Sequence, residues 1–163
     1  MGRSPFEAAR RPKTAESGQS LMEFALMLPF MLLLLLGVVE IGRAVFISIA
    51  VANGATAGVE YGAQSPTTAA DNAGMQTAAQ NDANVSGMTA SATQGCRCDS
   101  GSGTSCSVPL PPSSSCATIS CGSGQIVECV EVTTNATFNS LLHYPGLPSS
   151  YQASKTAVMR VRE

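Results

Sequence analysis

Tryptophan is absent from this 163-residue chain, histidine occurs once, and aromatic residues of all kinds make up 5%. With so few large rings, whatever folds outside the apolar N-terminal region has a modest core, and small domains of that kind need staples. Basic residues are scarce too: after Arg43 the next is Arg97, and the net charge is −2. A nucleic-acid partner would require a basic surface to meet its phosphates, so that class is excluded. Catalytic signatures are also missing. No GxSxG, phosphate loop or HExxH occurs, Asp71, Asp82 and Asp99 stand apart, and His143 sits beside Tyr144-Pro145 in a turn-like stretch. The sequence predicts no enzyme, no cofactor, no metal and no small-molecule substrate.

What is present is unevenly spread. Hydrophobic residues make up 44% of the chain, with a dense block before residue 50 and a Ser/Thr/Ala/Gly-rich remainder. From Phe24 to Val39, "FALMLPFMLLLLLGVV", nothing is charged. That run gives about 24 Å of helix against a hydrocarbon core of about 30 Å. A full span must therefore take in Glu23 at one end, or Glu40 and Arg43 at the other. The latter two are three apart on a helix and can pair at the outer boundary, and the expected span is about 24–43. Before the block stand Arg3, Arg10, Arg11 and Lys13, with Glu7 and Glu16. The positive-inside rule accordingly places the N-terminus in the cytoplasm and the long C-terminal part outside.

All six cysteines, Cys96, Cys98, Cys106, Cys116, Cys121 and Cys129, lie downstream of that block. Clustered, even-numbered thiols beyond a membrane segment read as disulfides in an oxidising compartment. Free thiols and zinc are the alternatives, but "CRC" with scattered partners is a poor zinc pattern. The spacing does not choose among the pairings.

The threshold of the apolar run, "SGQSLMEFALMLPF" over residues 17–30, carries a lone acid, Glu23, and a glycine, Gly18, five positions before it. A carboxylate drawn toward hydrocarbon costs several kcal/mol unless paired or protonated. An acid that only snorkels or caps the helix explains Glu23 but not the glycine. The basic leader, Gly18, "QSLMEF" and the apolar helix together resemble a type IV prepilin processing site. More specifically, "GQSLMEFALMLPF", the Leu run, "GVVEIGRAVF" and "VANGATAGVEYGA" are similar to the TadE-like family, the minor pilin-like (pseudopilin) proteins of tight-adherence, or Tad/Flp, pilus systems. The resemblance covers roughly residues 17–62. The Glu-Phe after the glycine and the length favour the minor type over the short major pilin.

The resemblance implies cleavage between Gly18 and Gln19 by a prepilin peptidase on the cytoplasmic side, with Glu23 becoming the fifth mature residue. It implies retention in the bacterial inner membrane as a single-pass protein, possible incorporation in the pilus, and partners among other Tad subunits and inner-membrane assembly proteins besides lipid. An acid at that depth can meet a neighbour's terminal ammonium and set axial register.

The expected fold class is α+β. Residues 1–18 form a leader, and 19–62 a TadE-like segment in one long helix whose first half is transmembrane. Residues 63–163 form an extracytoplasmic domain with a second helix and a small cysteine-stapled antiparallel sheet. Pro29 removes one helical hydrogen bond, so a bend is expected there. Ala50, Gly54, Gly58 and Gly62 lay small side chains along one face, permitting close approach to this domain or to a neighbouring subunit. Pro66 should break the first helix or start the next, which runs to about Ala83 with Thr67/Thr68 as its cap. "SGMTASATQ" is a weak strand signal. "IVECVEVTTNATF" alternates Val130, Val132, Thr134, Ala136 and Phe138 on one face, a strand pattern, and "YQASKTAVMRVRE" reads as a final strand. Two other functions compete: a permanently anchored envelope protein whose outer domain binds a partner, and a secreted cysteine-rich effector released at Ala52 after "AVA".

Overall fold

The structure, a computed structural model, describes residues 16–99, 106, 120–122, 124–141 and 149–162. The leader up to residue 15, Cys116 and His143 lie outside the described residues. Contacts divide the chain into two units, Met1–Val39 and Glu40–Glu163.

One helix, α1 (Glu16–Gly62), runs from the first unit into the second and is helical through Pro29. In the first unit its large apolar side chains, Leu21 to Val39, are exposed all round. That stretch is long and apolar enough to cross a membrane. A helix apolar on every side, with no protein over it, is what lipid solvates.

The second unit begins with the remainder of α1, followed by α2 (Pro66–Ala69), α3 (Asn72–Ala83), β1 (Thr89–Asp99), β2 (Gln125–Asn139) and β3 (Ser150–Arg160). Pro66 does both things expected of it. The chain leaves α1 at Gly62, and Pro66 occupies the first turn of α2, where its missing N–H costs nothing. The expected second helix is in fact two. Ser65, not Thr67 or Thr68, caps α2, with Thr68 completing the reciprocal capping box. Asp71 then caps α3, its carboxylate accepting from the Gly74 amide at 2.9 Å. Two strong cap residues six positions apart win over one continuous alanine-rich helix.

The three strands form one antiparallel sheet in the order β1-β2-β3. The alternation read in β2 is the core: Val130, Val132, Thr134, Ala136 and Phe138 are all buried. Beside them lie Val59, Met75 and Ala79 at one end and Val51, Ala83, Met88 and Ala153 at the other. β1 runs five residues beyond the weak signal, to Asp99, because β2 supplies partners through Asp99↔Gln125. Disulfides Cys98–Cys121 and Cys106–Cys129 each span a sequence separation of 23 and tie Cys121 to β1 and Cys106 to β2. Cys96 is disulfide-bonded as well. Cys106 covers Val127 and Cys129 on the sheet face that the helices leave open.

Candidate functional site

Two surfaces of α1 are candidates, one in each unit. In the first unit Gly18 lies two residues inside the helix start, and nothing stands within 4 Å of where its side chain would be. One turn on, Glu23 accepts a hydrogen bond from the Gln19 side-chain amide, Nε2 to Oε1, at 3.3 Å. Among the described residues Glu23 has no ion pair. The structure thus brings three of the sequence-derived residues, Gly18, Gln19 and Glu23, onto one exposed helical turn and a half. Among the described residues no cation faces the acid.

In the second unit the small-residue stripe is in contact with the domain's own core. A side chain at Gly54 would stand 2.7 Å from the Ala79 carbonyl oxygen and 2.9 Å from the Ala83 β-carbon. At Gly58 it would meet Val132 at 2.9 Å and the Met75 carbonyl oxygen at 3.0 Å. Met75 and Val130 close over Gly62. The two possibilities left open by the sequence, the domain itself or a neighbouring subunit, resolve to the domain. Each glycine sacrifices about 1 kcal/mol of helix propensity, and the close approach of α3 and β2 offsets it.

This contact continues as a ladder. Arg43 lies 5.1 Å over the Phe138 ring, the Thr134 hydroxyl donates to the Val51 carbonyl at 2.7 Å, Val132 meets Gly58, and Val130 meets Gly62. From Arg43 to Gly62 the helix rises about 28 Å. From Phe138 back to Val130 the strand covers about 26 Å. The two lengths match, so β2 runs antiparallel along α1 with its buried face against the helix. At the far end Glu40 pairs with Arg43 at 3.2 Å and accepts from the Leu141 amide at 2.7 Å. Sequence reasoning anticipated the Glu40–Arg43 pair but not its partners from the end of β2. Only the alternation ending on Phe138 hinted that an aromatic would arrive there.

The polar tie between α1 and α3 is Tyr61, whose hydroxyl donates to Asp71 Oδ2 at 3.0 Å. Tyr61 lies beyond the apolar stretch of α1. The Asp71 carboxylate, by accepting that hydrogen bond and then by its charge, holds the phenol above its ordinary value of 10.0.

Residues 18–60 match the family model described as TadE-like protein. That segment is TadE-like. The match begins at Gly18 and ends beside the last glycine of the stripe, so it takes in both surfaces of α1. No curated protein and no solved structure matches the chain at a significant level. The TadE-like segment suggests a component associated with a Tad pilus, and its apolar helix is consistent with a membrane anchor. Among the described residues no group of three or more His, Cys, Asp or Glu side chains could hold a metal ion.

Proposed function

We propose that the chain is a membrane-anchored, pseudopilin-like component of Tad/Flp pilus assembly, processed by a prepilin peptidase between Gly18 and Gln19. Its N-terminus lies in the cytoplasm, and the disulfide-bridged unit lies outside the inner membrane. It acts as a peptidase substrate and a structural partner of other Tad subunits and inner-membrane assembly proteins, not as a catalyst. The observation that carries this reading is a glycine and an acid five residues apart, on the exposed first turns of an apolar helix that the TadE-like match covers.

The local physics fits such a substrate. A peptidase needs its substrate backbone extended, and a glycine within two residues of a helix start is the cheapest place to unwind. Cutting there leaves the apolar helix intact and gives Gln19 a new α-ammonium group. Glu23, held on the same face by Gln19, is then available to a neighbour's ammonium. In low dielectric such a pair fixes axial register more than it adds net stability. Pro29, one and a half turns further on, would let the helix bend where subunits crowd together.

The N-terminal sequence of the mature protein, from cells with and without the peptidase, tests the proposal. A start at Gln19 that depends on the peptidase is the expected result. An intact leader in both cells would favour the permanently anchored envelope protein, and a start at Asn53 the secreted effector. Exchanging Gly18 for leucine should leave an unprocessed precursor still in the membrane.

A further inference from the structure

Beyond the charged pair that ends the apolar run, α1 does not become polar on its open side. Ile41, Val45, Phe46 and Ile49 stay exposed, Phe46 by 68%, while Ala50, Val51, Gly54 and Ala55 on the opposite side are buried. The exposed side turns polar only at Asn53, Thr56 and Glu60. The charges within this stretch are answered by the unit itself. Glu40 is bonded to Arg43, to the Leu141 amide and to the Ser140 side chain, and the Arg43 guanidinium lies over the Phe138 ring. At the same end of the sheet two further apolar side chains stand exposed, Leu141 and Tyr151. Tyr151 is the register partner of Phe138, and directly opposed residues in an antiparallel pair share a face, so its ring is on the helix side.

We propose that this rim of the outer unit, formed by Ile41, Val45, Phe46, Ile49, Leu141 and Tyr151, is immersed in the outer leaflet at the boundary of acyl chains and headgroups. The proposal rests on the reading of residues 24–39 as membrane-spanning. The occupant is phospholipid, and length argues for it. The uncharged run supplies about 24 Å of helix where the hydrocarbon core needs about 30 Å. Continued to Ile49 the apolar side supplies about 39 Å, close to the 40–45 Å or so of a bilayer with its interfaces. The rim has the chemistry of that zone. An aromatic with a polar tip, a paired arginine with a ring beneath it, and aliphatic side chains with no unanswered charge all suit the headgroup level. The glutamate that would otherwise resist this depth has three partners from its own unit. The outer unit is therefore seated on the bilayer by its own side chains and not merely tethered to it.

Because the chain has no tryptophan, single replacements give unique depth reporters. Full-length Phe46→Trp, Tyr151→Trp, Thr56→Trp and Leu33→Trp are reconstituted in phosphatidylcholine vesicles with and without bromine on the acyl chains, and quenching is also measured with aqueous acrylamide. The expected result is loss of most emission to brominated lipid at 33, 46 and 151. At 56 there should be little loss to lipid and ready quenching by acrylamide. Ready acrylamide quenching at 46 and 151 with no effect of bromine would overturn the proposal by placing the rim in water. Protection from both quenchers would overturn it by putting a second copy or another protein there. Quenching by lipid at 46 but not at 151 would overturn it too, since both belong to the rim. If Leu33→Trp is itself indifferent to bromine, the membrane-spanning reading fails along with the proposal, and that outcome is distinct from the others.

Discussion

At the scale of single residues, Glu23 and Tyr61 show how differently a polar group can be used on one helix. Glu23 accepts from a neutral amide and, among the described residues, has no cation. Exchange of Glu23 for glutamine should leave membrane insertion unimpaired, because removing a charge near the hydrocarbon saves up to about 2.5 kcal/mol on insertion scales. Processing should continue, since Gly18 survives. Assembly should fail, with processed protein accumulating in the membrane. Normal piliation in Glu23→Gln, with processing and membrane level scored separately, would remove the pairing role. Tyr61, by contrast, stabilises its own unit as a neutral donor to Asp71. Its raised value means that this contribution is complete below the ordinary value of 10.0 and is lost as pH rises through the higher folded value. The α1–α3 tie should thus loosen only in the alkaline range. Tyr61→Phe, lacking the phenol, should abolish that alkaline step in an unfolding titration.

At the scale of elements, the sequence was most legible where one periodicity met one environment. The β2 alternation named the five residues that line the core, because period two and a one-sided core leave no other register, and the uncharged run named the apolar half of α1 by its length. Legibility failed where two local signals competed. Ser65 and Asp71 each outbid the threonines as caps, so one expected helix became two. The reach of β1 was invisible because its last residues, Arg97 to Asp99, have no alternation of their own and are strand only through pairing with Ile126 and its neighbours. The glycine stripe was visible as a pattern, but its partner was not, since a small-residue face says that something comes close and not what. Now that α3 and β2 are known to be that partner, the cost of filling the stripe can be stated. Gly58→Leu should destabilise the second unit by at least about 1–3 kcal/mol through overpacking against Val132 and the Met75 backbone. Gly42→Ala, where nothing stands within 4 Å, should be tolerated. Hydrogen exchange of the β2 amides in detergent would report both, and equal protection in the two variants would show that the stripe is not the α1–β2 contact.

At the scale of the whole molecule, the chain joins two units of different build. Among the described residues the first has no buried interior, and its helix is long and apolar enough to cross a membrane. The second has a thin core built largely from alanine, valine and methionine, with Phe138 the one buried aromatic ring among the described residues. A core of that size is short of apolar area, and the bridges compensate by restricting the unfolded chain. For a closed loop of the size set by each described bridge, the chain-entropy account gives about 3 kcal/mol. That is a large part of the stability of a small unit. Cys98–Cys121 and Cys106–Cys129 both act at the Val127–Cys129 end of β2. Reduction should therefore release this end first, while the Phe138 end, held to α1 through Arg43 and Glu40, persists longer. The apolar stretch of α1 contains no cysteine and should be indifferent. Alkylating the native protein before reduction should label none of Cys96, Cys98, Cys106, Cys121 or Cys129. Hydrogen exchange after reduction should then show protection lost from residue 127 toward 138 and unchanged over 24–39. Uniform loss along β2, or loss within the apolar helix, would mean that the bridges hold something other than the thin end of the core.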